Sequence, residues 1–257
     1  MLLLDLHDDA LCEVLCMLSP LAAMPIKCTA RRPCLLVRMA FPPVRVKAGD
    51  DLVARLNCAR EGETLLLERY RYAVSADIVV RRPLRIQGID GGSQVWLMQG
   101  ARIVWCATGL LCGVEVLREC TPTQNVYPDA ALCVRGQGRL RAVGCIVRYA
   151  QDPVVIFHYH VVHGIHVDFG AVCWADHVRI VATPGACIKV HGARMVAHRC
   201  AFLLPQQGPC VLAVRGFVSL RSCTFLHRTE PAVCSCQGAS VAASTTQGKV
   251  VAIRRVS

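Results

Sequence analysis

The densest cluster of chemically active side chains is FHYHVVHGIHVDF at residues 157–169, which carries His158, His160, His163, His166 and Asp168. Alternate residues of a strand share a face, so His158 and His160 point the same way, an arrangement that can suit zinc. Cys173 is the only thiol close by, and a closed zinc site wants four ligands. The cluster therefore reads as a strand–turn–strand insertion whose histidines are exposed or satisfied. The acids are sparser. From residue 121 onward they are Asp129, Asp152, Asp168, Asp176 and Glu230. Glycoside hydrolysis needs two carboxyls about 5–10 Å apart, and none of these acids recurs at one position of a repeat. Calcium-binding acid clusters, CxxC pairs, glycine-rich phosphate loops and serine nucleophile elbows are missing as well. Gly91-Gly92 reads as a turn. No catalytic residue, metal site or cofactor is expected, and the chain reads as non-catalytic.

Composition narrows the class. The 257 residues include 17 cysteines, and 54% are hydrophobic. An odd thiol count, placed inside apolar segments, argues for buried free thiols rather than a disulfide framework. That predicts a reducing compartment, cytoplasmic or nuclear. The leader MLLLDLHDD lacks a basic start and is broken by acids, unlike a signal peptide. No apolar run reaches the ~18–20 residues of a membrane span. Formal net charge is +11, nearly all from arginines spread one or two per repeat, with few aromatics between them. A partner-binding basic face is expected, with Arg135, Arg139, Arg194, Arg215 and Arg221 as candidates. Nucleic acid is disfavoured, since no zinc finger or aromatic RNA-binding signature accompanies the charge.

The elements that must position these residues show themselves as a repeat. CVRGQGRLRAVGCIV (133–147), KVHGARMVAHRCAF (189–202) and AVRGFVSLRSCTF (213–225) share one phrase, and VCSCQGASVAAS, from Val233, is a faded copy. Gly136, Gly192 and Gly216 mark the phrase, and Gly164 fills the wider gap. A period in the twenties signals a solenoid. Runs of four to six Val, Ile, Leu, Cys and Phe residues between Gly, Pro and polar turns are strands. Cys145 with Val147, Cys200 with Phe202, and Cys223 with Phe225 each share a face. Stacking would put cysteine on cysteine and Phe202 beside Phe225. The fold expected is mainly β, a right-handed parallel β-helix of the pectin-lyase-like kind with a short α-helical N-terminal segment. A leucine-rich repeat lacks its leucine ladder here, and another β-solenoid or sandwich is the remaining alternative.

Residues 1–43 differ in texture from 44–257, which gives two regions. In the first, Asp8 and Asp9 precede an amphipathic stretch from Ala10 to Leu18. LLDLHDDALCEVLCMLSPLAAM resembles the opening of an F-box, although KCTARRPCLLVRMAFPP has no tryptophan where that family carries its second half, so the box is partial or degenerate. Downstream, Glu61-Gly62-Glu63-Thr64, Leu65–Leu67, Tyr72, Ile78–Val80, Arg82-Pro83-Leu84 and Ile86-Gln87-Gly88 resemble the first coil of the β-helix in F-box proteins of the plant Skp-interacting kind. Three short strands are expected there, with Pro83 starting the third.

The resemblance implies a non-catalytic substrate-recognition subunit of a Skp–cullin–F-box ubiquitin ligase. Leu11, Val14, Leu15, Leu18 and Pro20 would dock the Skp-type adaptor, and the arginines would hold a protein target. A carbohydrate-active or carbohydrate-binding β-helix is the first alternative. A stand-alone interaction scaffold with a decayed F-box is the second.

Overall fold

Short apolar segments separated by turns wind into coils. The computed structural model describes residues 42–89, 91–119, 129–150, 162–203, 205, 208–226, 232–244 and 253–256. Every strand pairing is parallel, and each coil contributes one strand to each of three sheets. The first sheet has nine strands: Val44–Val46, Thr64–Leu67, Leu84–Gly88, Thr108–Cys112, Arg139–Val143, Val172–Asp176, Arg194–His198, Phe217–Arg221 and Ser240–Ser244. The second has seven, from Arg71–Val74 to Thr224–Leu226. The third has eight and includes Ile103–Trp105, Asp129–Val134, Val162–Val167, Ile188–His191 and Val211–Val214. This is a parallel β-helix, as the repeat predicts.

Alternation sorts the side chains. In Arg139–Val143 the arginines face out, while Leu140 and Ala142 are buried. The same holds for Val172–Asp176, with Cys173 and Ala175 inside, and for Arg194–His198, with Met195 and Ala197 inside. The interior is one continuous apolar cluster running the length of the described coils. Phe202 stacks on Phe225 with ring centroids 5.3 Å apart, as the repeat required. The twelve described cysteines are free thiols, seven of them buried. Interior thiols donate to backbone carbonyls of first-sheet strands: Cys200 to Ala175 at 3.5 Å and Cys223 to Ala197 at 3.5 Å. Burial pushes the Cys145 thiol up to about 11 and that of Cys173 to about 12, so both are inert small hydrophobes.

A seven-residue helix, Leu52–Cys58, follows the first strand. Asp51 caps it, accepting from the backbone N–H groups of Val53 and Ala54. Leu52 and Leu56 are buried in the same core cluster, so the helix covers apolar residues of the first coils. No helix among the described residues is long and apolar enough to cross a membrane. The helix expected from Ala10 to Leu18, and with it Leu11, Val14, Leu15, Leu18 and Pro20, lies outside the described residues.

Three details differ from the sequence reading. The segment through Gly88 holds four strands rather than three, and Pro83 precedes the one that opens the next coil. The glycine alignment slips by one: Arg194 pairs with Phe217, so Ala193 stands beside Gly216, and Arg215 takes the position of Gly192. Both adopt positive φ, 60° for Gly192 and 51° for Arg215. Gly164 is no turn glycine, for it lies inside the strand Val162–Val167, and Gly170, with φ 73°, holds the turn position. Coil length causes the error. Val172 pairs with Arg194, 22 residues on, whereas Arg139 pairs with Val172, 33 residues on.

Candidate functional site

Outward residues of the first sheet line up across coils at the strand spacing of about 4.8 Å. One row runs Thr108, Arg139, Val172, Arg194, Phe217; the next runs Arg85, Leu110, Arg141, Trp174, Val196; the third ends in Asp176, His198, Arg221. Across the strands from Leu84–Gly88 to Phe217–Arg221 this gives five arginines and one acid. Trp174 is 40% exposed and Phe217 37%, both high for large apolar rings. The Arg194 guanidinium lies over the Phe217 ring at 5.3 Å, a cation–π contact that also orients the charge.

At the centre of this face is an open groove of 570 Å³ lined by Thr108, Arg139, Arg141, Trp174, Asp176 and His198, among others. Asp176 Oδ1 lies 3.0 Å from His198 Nδ1 and 3.0 Å from His177 Nδ1. Burial alone would raise the Asp176 carboxyl, but the hydrogen bond from His198 and the two neighbouring imidazoles outweigh it and lower its pKa. An ionised carboxylate only accepts, so His198 Nδ1 carries the hydrogen, and in the neutral ring Nε2 is left as a base. The groove thus combines an orienting carboxylate, an imidazole base, two guanidinium groups and a flat apolar ring. Such groups can stack on a flat apolar surface, pair with an anion and accept a proton.

The expected target-binding arginines divide. Arg139, Arg194 and Arg221 share this face. Arg215 is exposed in the turn before it, and Arg135 follows the third-sheet strand Asp129–Val134. Asp176 is in the groove, Asp168 lies beyond the third-sheet strand Val162–Val167, and Asp152 is outside the described residues. Of the histidine cluster, His158 and His160 fall outside the described residues. His163 and His166 are not exposed or satisfied as expected: each is only 1% exposed, and among the described residues His163 Nδ1 and both His166 ring nitrogens have no hydrogen-bond partner. Arg141, Trp174, His177 and His198 escaped the sequence reading. Their alternation with buried Cys173 and Ala175 was visible. Their meeting across coils depended on coil lengths that were not.

No family model matches the chain, and no curated protein matches it in sequence. Two solved structures are similar to it in shape. One is a PL6 family alginate lyase, AlyGC, at 11% identity and a TM-score of 0.42; the match covers 79% of this chain and 39% of that enzyme. The other is an alginate lyase from Paenibacillus sp. str. FPU-7, at 12% identity and a TM-score of 0.22, covering 82% of this chain and 99% of that one. Against the expectation of a non-catalytic chain, both of these similar structures are of enzymes. Asp176 has no carboxylate beside it in its row among the described residues, and has two imidazole partners instead.

Proposed function

We propose that this is a carbohydrate-active β-helix protein that seats an acidic glycan along the outer face of its first sheet. The observation that carries the reading is the joint lining of one groove by Trp174, Arg139, Arg141 and the Asp176–His198 pair. A pyranose presents an apolar C–H face to a ring such as Trp174, and its carboxylate suits the planar fork of an arginine. Strands of successive coils lie about 4.8 Å apart, so a repeating polymer laid along the solenoid can meet equivalent positions of successive coils. Where a carboxylate is held by guanidinium, the proton on the adjacent carbon becomes more acidic; His198 Nε2 is the base available to take it, and the electron pair left behind forms a double bond as the glycosidic oxygen on the next carbon departs with a proton from solvent.

The test is titration of purified protein with alginate, polygalacturonate and a neutral glucan, followed by indole fluorescence and by release of unsaturated or reducing ends. Binding of the acidic polymers only, lost in Trp174→Ala, supports the reading. Equal affinity for the neutral glucan, or no binding to any of the three, overturns it. The ubiquitin-ligase reading rests on Leu11, Val14, Leu15, Leu18 and Pro20 and has its own measurement. Co-purification of a Skp-type adaptor and a cullin from cells, abolished by Leu15→Asp, would favour it over a glycan role.

A further inference from the structure

The outer side of the third sheet presents a different chemistry. Cys133, His166 and Lys189 are register partners on three neighbouring coils. His163 joins them, its ring centroid 6.4 Å from that of His166. Two residues of a strand that are three apart should face opposite ways. Here they share a side because the strand is irregular at Gly164: a Cβ there would meet Ile180 Cγ2 at 2.5 Å and the Cys187 carbonyl oxygen at 2.6 Å, so Gly164 faces the interior. Cys133 is fully buried and both histidines are 1% exposed, while Lys189 is half-buried.

Among the described residues, four nitrogens in this region are buried without a hydrogen-bond partner: Arg135 Nε, His163 Nδ1, His166 Nδ1 and His166 Nε2. An unpaired buried polar group costs about 1–3 kcal/mol, and folded proteins rarely leave several together. The charges around His166 are Arg135, Lys189, Asp168 and His191. Asp168 is shared with His191, whose Nδ1 lies 3.5 Å from Asp168 Oδ1 while Phe169 packs on its ring at 4.2 Å. With His163 and His166 neutral, Arg135 and Lys189 face Asp168, so among the described residues the region has excess positive charge as well as idle N–H donors. Cys133 adds no charge while it is a thiol.

We propose that the outer side of the third sheet holds a binding site for a small oxyanion, a phosphate or carboxylate group, contacted by Arg135, His166 and Lys189. Such an anion accepts from the Arg135 Nε–H and the imidazole N–H, and it neutralises the second cation. It has no part in the glycan groove, which lies on the first sheet.

The experiment is thermal unfolding of the full chain in increasing inorganic phosphate, in acetate, and in chloride at matched ionic strength. The site predicts a saturable rise in Tm with phosphate or acetate and none with chloride; phosphate alone assigns a tetrahedral anion, acetate alone a carboxylate. Arg135→Gln should raise the concentration needed about tenfold or more, while Trp174→Ala should leave it unchanged. Because Arg135→Gln could itself lower Tm, proton NMR of the His166 ring supplies a second reading. Its pKa, held to about 4 chiefly by burial, should rise when the anion binds to the wild-type chain. Equal Tm in all three salts, an unaltered response in Arg135→Gln, or a His166 titration indifferent to the anion would overturn the proposal.

Discussion

The outer faces of the first and third sheets are built from the same alternation, yet they have opposite fates. On the first, Arg139, Arg141, Trp174 and Arg194 stand in solvent around an open groove. On the third, Val104, Ala130 and Cys133 form a second apolar cluster outside the solenoid, and the neighbouring histidines are buried. The difference shows that in a solenoid "outward" is not the same as "exposed". A polar residue on the first kind of face is free to bind ligands. On the second kind it must find a partner or impose a cost.

The largest expected effect sharpens this contrast through pH. Burial holds His163 down to about 3 and His166 to about 4, with Lys189 lowering both further. Both rings are neutral in the fold, whereas the unfolded chain takes up their protons below about pH 6.5. The unfolded state therefore binds more protons, and stability falls as pH drops from about 6.5 toward 4. The loss is about 3 kcal/mol per histidine at about 1.4 kcal/mol per unit. Urea unfolding in chloride buffer at pH 7 and pH 4.5 measures it, and His163→Leu should flatten the slope. An equal slope in that variant would mean the third-sheet face is wet.

Next in size is a core truncation on a first-sheet strand. Leu140→Ala removes a fully buried side chain and should cost about 2–5 kcal/mol. Trp174→Ala, outward on the adjacent strand, should change stability by less than about 0.5 kcal/mol while weakening acidic-glycan binding about tenfold, as read by titration. A stability loss from Trp174→Ala comparable with that of Leu140→Ala would erase the distinction between the faces. Smaller still is Arg139→Gln, expected to weaken binding several-fold and to reduce its salt dependence. Arg215→Gln is the smallest, with binding unchanged, because that side chain lies in the turn rather than in the groove.

Much of the fold was legible. Cysteine two residues before an apolar partner predicted the stacked interior, and the Phe202–Phe225 contact confirmed it. The site was less so. Three of the five expected arginines share one face, but placing the turn glycine at Gly164 instead of Gly170 hid how Trp174, Asp176 and His198 meet. The histidines at 163 and 166 illustrate a second limit. Strict alternation puts them on opposite sides, and only the inward turn of Gly164 brings them together.

The coil-to-coil hydrogen bonds are evenly spaced and slanted, running broadly along the solenoid axis, and each coil touches little beyond its neighbours. That geometry gives the molecule a mechanical character. Stretched end to end, it would load one rung at a time and peel coil by coil at low force, releasing 22 or 23 residues per step near Val172–Phe217. Pulled along a strand, a whole rung of parallel bonds would have to shear together, and the same protein would resist as a stiff body.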